Sequence, residues 1–268
     1  MKNLAKKPLI ISVAVFVAAL TFAFTLGLVL KGCDSDKFKT YTTDDFTYMS
    51  DISSVEKILN TKDEKYLFIA NKENPVGADY EPENLVNVDK AYTWYEKSIQ
   101  LDEATAQAAI AMINEMKTAG IDDIYITSGY RSYDYQKTLF DNYMYEEYLK
   151  DKTLTKAQRE ELVRQYSAYP GESEHHTGLC VDFITSALKN DLVNYTKENT
   201  KGGIGFAETD AFEWLCENAH KFGFILRYPD GKTDETGYSY ESWHYRFVGI
   251  DAATKIHNSG KTLEEWVE

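Results

Sequence analysis

The chain has 268 residues, 43% hydrophobic and 27% charged, a composition that supports one sizeable core and argues against general disorder. Its formal net charge of −14 argues against nucleic acid as a partner, because phosphate binding needs a basic surface. That charge is unevenly spread: residues 1–32 hold Lys2, Lys6, Lys7 and Lys31 and no acid, so the acidic excess falls on the rest.

Residues 8–30 carry no charge and are almost wholly apolar. As a helix rising 1.5 Å per residue they span about 34 Å, against ~30 Å of bilayer hydrocarbon. With three lysines ahead of it, this run predicts one transmembrane helix, a cytoplasmic N-terminus and an extracytoplasmic domain held at the cell membrane. Two other readings stay open. One is a cleaved signal peptide, for which the run is long and no A-x-A site follows. The other is lipidation at Cys33, since Leu30-Lys31-Gly32-Cys33 loosely resembles a bacterial lipobox with Lys31 out of place. Residues 1–31 thus read as tip and anchor, 32–56 as a polar juxtamembrane spacer, and 57–268 as the exported domain.

In that domain, residues 101–119 read as an amphipathic helix, with Ala106, Ile110 and Ile113 at three-to-four spacing and Gly120 as the stop. Residues 124–127 form a short strand and the tyrosine-laden 133–150 a helix. Thr155 and Gln158 have capping-box spacing and open a helix that ends before Pro170-Gly171. Further strands are expected at 179–184, 224–228 and 245–248, with a helix at 210–222, opened by Asp210 and Glu213 at cap spacing, and a last short helix from Thr262. Helices outnumber strands and no regular crossover spacing is present. An α+β domain follows, a small antiparallel sheet flanked by helices. Three cysteines are too few for a disulfide framework; Cys180 and Cys216 are read as buried free thiols, with pairing as the alternative.

Of five histidines, three fall in two segments dense in polar and aromatic residues: Ser173-Glu-His-His-Thr-Gly-Leu-Cys-Val-Asp182 and Tyr240-Glu-Ser-Trp-His-Tyr245. A catalytic zinc site needs three imidazole or carboxylate ligands and one open position. His175, Asp182 and His244 can supply that set. Asp182 stands between Val181 and Phe183 on an apolar strand, where a carboxylate is costly unless paired or bound to metal. Glu241 lies three residues before His244, so the segment must turn or bulge to bring both to one ion; Glu241 then serves as base. His176 is read as shaping the site, His220 as a helix-end or surface residue, and His257 as surface.

These segments closely resemble the VanY-type D-alanyl-D-alanine carboxypeptidases, zinc peptidases of a group that includes hedgehog-like domains. The likeness rests on S-x-H-x-x-G-x-A-x-D, here Ser173 to Asp182, and on E-x-W-H, here Glu241 to His244. Ser128-Gly-Tyr-Arg-Ser-Tyr-Asp-Tyr-Gln136, Phe222-Gly-Phe-Ile-Leu-Arg-Tyr-Pro229 and Tyr66-Leu-Phe-Ile-Ala-Asn-Lys72 extend it over residues 64–268. The resemblance implies zinc on His175, Asp182 and His244, Glu241 as catalytic base, and Arg131 facing the scissile carbonyl or the peptide carboxylate. Gln136 and Ser173 help hold the peptide end. It implies a D,D-carboxypeptidase acting on peptidoglycan stem peptides, with an L,D-carboxypeptidase and a non-catalytic zinc-binding domain as rivals; a monomer is expected. Cys180 departs from the pattern, which has a small Ala there, and Ser242 replaces a common Pro.

Overall fold

A computed structural model describes residues 46–188 and 205–267. Its centre is a four-stranded antiparallel sheet in the order β3-β4-β6-β5, from β3 (Tyr125–Ser128), β4 (Cys180–Ile184), β6 (His244–Phe247) and β5 (Phe224–Leu226). Ahead of it, β1 (Leu85–Asn87) and β2 (Gln100–Asp102) pair as a separate antiparallel ribbon.

Strand alternation gives the large sheet two unlike faces. Val181 and Phe183 of β4, Tyr245 and Phe247 of β6, Ile126 and Phe224 fill the main core. Against them pack Ala108 and Met112 of α2 (Glu103–Thr118) and Leu215 of α5 (Asp210–Asn218). Burial of each such large side chain contributes about 1.5–3 kcal/mol, so this face holds the domain together. The opposite face carries Cys180, Asp182, His244 and Arg246, all buried, with Cys180 opposite Arg246 and Asp182 opposite His244. That face is polar and covered.

Helix α2 starts two residues later than its periodicity suggests, because Asp102 caps it, accepting from the backbone N–H of Ala104 and Thr105. Helix α3 (Tyr133–Lys150) has the expected bounds, and α4 (Lys156–Val163) opens on the Thr155–Gln158 capping box. The expected 210–222 helix divides: α5 ends at Asn218 and a tighter 3₁₀ turn, Ala219–Phe222, follows. Its cap is Thr209, not Asp210. Helix α7 (Ile250–Ser259) was not anticipated, nor were β1, β2 and two single-turn helices, α1 (Glu56–Leu59) and α6 (Thr233–Thr236); α8 (Leu263–Val267) closes the chain.

Three expectations need correction. The end of the spacer is docked: Tyr48 Oη donates to the Lys221 carbonyl at 2.7 Å, and Glu115 accepts from Met49 and Ser50. His220 is 3% exposed and stacks on half-buried His257 at 4.0 Å between ring centres, so neither is a free surface residue. Burial presses the His220 pKa down to about 3. Third, Cys180 is buried and free whereas Cys216 is only half-buried, so the alternative pairing of these two cysteines is not formed. Among the described residues no helix is long and apolar enough to cross a membrane; the apolar run at 8–30 and Cys33 lie outside them.

Candidate active site

The polar face becomes a site because a tight turn lays His175 over it. Residues Glu174–Thr177 form a single 3₁₀ turn, with Ser173 Oγ accepting from the His175 N–H at 3.3 Å. Gly178 ends the turn at φ 70°, and a Cβ there would stand 2.8 Å from Leu85 and 3.0 Å from the Asp102 nitrogen. Only glycine satisfies both demands.

Each histidine is fixed by its outer nitrogen. His175 Nδ1 donates to the Gly129 carbonyl at 2.6 Å, leaving Nε2 3.3 Å from Asp182 Oδ2. His244 Nε2 donates to Glu174 Oε1 at 2.7 Å, leaving Nδ1 2.8 Å from Asp182 Oδ1. Carbonyl and carboxylate oxygens only accept, so both outer nitrogens carry a proton; His244 Nδ1 donates to Asp182 as well in the metal-free site, and both inner nitrogens converge on that one carboxylate. Zinc bonds of ~2.0–2.1 Å at tetrahedral angles set ligand atoms roughly 3.3 Å apart. Two imidazoles and a carboxylate are donors of the kind zinc takes, and the His175–Asp182 separation matches that spacing.

Charge around the site is heavily compensated. Asp182 accepts from Arg131 Nη2 at 2.9 Å, and Arg131 also donates twice to Ser128 Oγ. Burial opposes its ionisation, yet the two imidazoles outweigh burial and hold the Asp182 carboxyl well below the usual range. Glu174, 1% exposed, bonds Arg227 Nε at 2.8 Å and Arg246 Nη1 at 3.2 Å. Burial again opposes the charge, and the two guanidinium groups win, keeping Glu174 ionised. Arg227 is in turn gripped by both oxygens of Glu264 on α8, at 2.8 and 2.6 Å.

Glu241 occupies the turn that the sequence requires. Its N–H donates to the Tyr228 carbonyl, and the His244 N–H donates back to the Glu241 carbonyl at 3.3 Å. The carboxylate stands 3.7 Å from His244 Nδ1. Burial lifts its pKa to about 7, in the range for taking up and returning a proton near neutrality.

The cleft beside these groups has a volume of about 260 Å³ and is lined by Arg131, Ser173, His175, Asp182, Glu241 and His244. Tyr135, Leu139 and Tyr143, one turn apart on α3, form a wall with Tyr166, Tyr228 and Tyr238. It falls just below the ~300–1,000 Å³ of a drug-sized pocket.

The structure thus brings together His175, Asp182, His244, Glu241, Arg131 and Ser173, but not Gln136. That side chain is 1% exposed and donates to the Ala168 carbonyl at 2.8 Å, bracing the cleft wall from behind. His176 turns away from its neighbour and ties the Arg131 carbonyl, at 2.7 Å, to the Gly171 N–H, at 3.0 Å. Sequence reading assigned no role to Glu174, Arg227 or Arg246. A signal existed: Arg246 sits between Tyr245 and Phe247 on an apolar strand, the pattern that singled out Asp182.

Comparisons with known proteins point to one family. The family model described as VanY, D-alanyl-D-alanine carboxypeptidase, matches residues 98–250. The YodJ protein of Bacillus subtilis (strain 168) is 36% identical over 89% of this chain and 81% of its own length. A D-alanyl-D-alanine carboxypeptidase of Enterococcus faecalis (strain ATCC 700802 / V583) is 34% identical over 75% of this chain and 65% of that enzyme. A mutant vancomycin-resistance D,D-pentapeptidase VanY from a VanB-type cassette, solved with Zn(II), matches at 33% identity and TM-score 0.60. It covers 76% of this chain and 100% of the solved one. The LdcB LD-carboxypeptidase matches at 34% identity and TM-score 0.61, over 78% and 88%.

Proposed function

Because this chain belongs to the VanY family of D-alanyl-D-alanine carboxypeptidases, we propose that it is a zinc-dependent D,D-carboxypeptidase removing the terminal D-Ala from peptidoglycan stem peptides. The observation that carries the reading is the convergence of His175 and His244 on Asp182, with Glu241 3.7 Å from His244 at the cleft. His175, Asp182 and His244 would hold the metal, which supplies Lewis acidity and lowers the pKa of water.

The remaining chemistry belongs to the side chains. Glu241 takes a proton from the attacking water and returns it to the leaving amine, a cycle its raised pKa favours. Arg131, on the cleft wall with a side chain 21% exposed, presents a planar cation to the peptide carboxylate or the developing oxyanion. Ser173 borders the peptide end. Arg131→Lys keeps the charge but loses the fork that grips Ser128 and Asp182 together. Steady-state kinetics with zinc content measured in parallel should show turnover reduced at least ~10-fold with metal retained.

The test of specificity is mass spectrometry of defined stem peptides after incubation. A pentapeptide ending in D-Ala-D-Ala should lose one alanine. The likeness to LdcB supports a second reading, an L,D-carboxypeptidase, under which the tetrapeptide is shortened instead. Neither peptide being cut would sink both.

We further propose that the domain works outside the cytoplasm, tethered through residues 8–30, because the preceding lysines favour a cytoplasmic N-terminus. A reporter that functions only after export, fused behind Glu268, should be active; strong signal from a cytoplasm-only reporter would reverse the topology.

A further inference from the structure

We propose that Glu264 on α8 is a positioning residue for the metal site: it holds Arg227 in the orientation that leaves Glu174 free to align His244. The proposal rests on the zinc reading above. An unbroken chain of hydrogen bonds joins the two ends. His244 Nε2 reaches Glu174 Oε1 at 2.7 Å, and Glu174 Oε2 accepts from Arg227 Nε at 2.8 Å. Arg227 Nη1 and Nη2 then donate to the two oxygens of Glu264, at 2.8 and 2.6 Å. Glu174 and Arg227 are both buried, so no solvent stands ready to replace a lost partner.

A guanidinium and a carboxylate pair best through two parallel N–H···O bonds, the arrangement that Arg227 makes with Glu264. With Glu174 it makes one bond only, through Nε, and that leaves Oε1 to the imidazole. Without the Glu264 carboxylate, Arg227 keeps Glu174 as its one carboxylate partner. Turning its fork onto both oxygens of Glu174 restores two bonds and takes Oε1 from His244. The ring then loses the acceptor that fixes its orientation, the role such outer partners play for metal-binding histidines. Arg246 does not take over, because its Nη2 is held by the carbonyls of Tyr66 and Phe68. Two stretches that the sequence reading singled out, and the reaction leaves unused, meet here. Arg227 stands in residues 222–229, and Asn71, in residues 66–72, donates to Glu264 Oε1 at 3.3 Å.

Chelator competition for zinc on the full chain tests this, with denaturant unfolding of the metal-free protein alongside. Glu264→Gln should bind zinc at least ~10-fold more weakly, the lower end of what an outer partner of a ligating histidine contributes. Adding Arg227→Met should return most of that affinity, because no guanidinium then competes with His244 for Glu174. Arg246 still balances the Glu174 charge, and apolar replacement of a buried ion pair is well tolerated. A carboxylate that only braces the fold predicts the reverse, the double variant binding no better than the single one. In the Arg227→Met background Glu264→Gln should leave zinc affinity unchanged, a comparison that stands even where Glu264→Gln alone fails to fold. Parent-like zinc affinity in Glu264→Gln, or a further loss in the Arg227→Met background, overturns the positioning role and leaves the zinc reading standing. A parent chain that takes up no zinc overturns both.

Discussion

Glu241→Gln should lower D-alanine release by about 10²–10⁴-fold, the usual worth of a positioned base, while zinc stays bound. Glutamine keeps the size of the side chain but cannot accept a proton from water. His175, Asp182 and His244 do not depend on it: their mutual contacts run through Gly129, Glu174 and Arg131. The same substitution has an opposite effect on stability. In the metal-free domain burial raises the Glu241 pKa from 4.5 to about 7, so the folded state holds this proton more tightly than the unfolded chain. Stability contributed by the group therefore falls as pH rises from 4.5 to 7, and its ionised form is a burden above that. Gln removes the burden. Denaturant unfolding of the metal-free variant should show a gain of up to about 3 kcal/mol above pH 7, at ~1.4 kcal/mol per unit, fading below pH 4.5. Near-normal D-alanine release by the variant would refute the base. Loss of zinc would instead make Glu241 a ligand.

Part of the candidate site was legible in the sequence because some of its members break a local rule. Asp182 is a charge in an apolar strand, and the E-x-x-H spacing forces a turn that the structure supplies between Tyr228 and His244. Helices with strong punctuation, such as Tyr133–Lys150 behind its Ser132 cap, were equally readable. Where reading failed, the cause is physical. The strands β1 and β2 are three residues each, too short for alternation to register. Helix α7 carries Ile250, Ala253 and Ile256 at three-to-four spacing and stops at Gly260, a signal that was present but brief. Gln136 is expected by resemblance at the peptide end, yet its amide serves the Ala168 carbonyl, a tertiary contact that no periodicity encodes. His220 and His257 are 37 positions apart, and only packing of α7 on the Ala219–Phe222 turn stacks them.

Glu174 is the residue whose loss should most disturb the candidate metal site while leaving Glu241 and Arg131 in place. One oxygen holds His244 Nε2 and the other meets Arg227 and Arg246, so a single carboxylate orients a candidate ligand and neutralises two buried cations. Glu174→Ala frees the His244 ring to rotate its lone pair off the metal position. Loss of such an outer partner typically costs ~10–100-fold in metal affinity. It also strands buried positive charge, because Arg227 keeps Glu264 but Arg246 is left with the carbonyls of Tyr66, Phe68 and Phe247. Breaking a buried ion pair from one side costs about 3–5 kcal/mol, which denaturant unfolding of the metal-free domain reads directly. Glu174→Gln separates the two roles. Its amide oxygen can still accept from His244, but its NH₂ then faces two guanidinium groups, so stability should fall further than zinc affinity does. Chelator competition on both variants decides the matter: if Glu174→Ala binds zinc as tightly as the parent chain, His244 is aligned by its strand pairing with Asp182 alone, and Glu174 is only a counter-ion for the arginines.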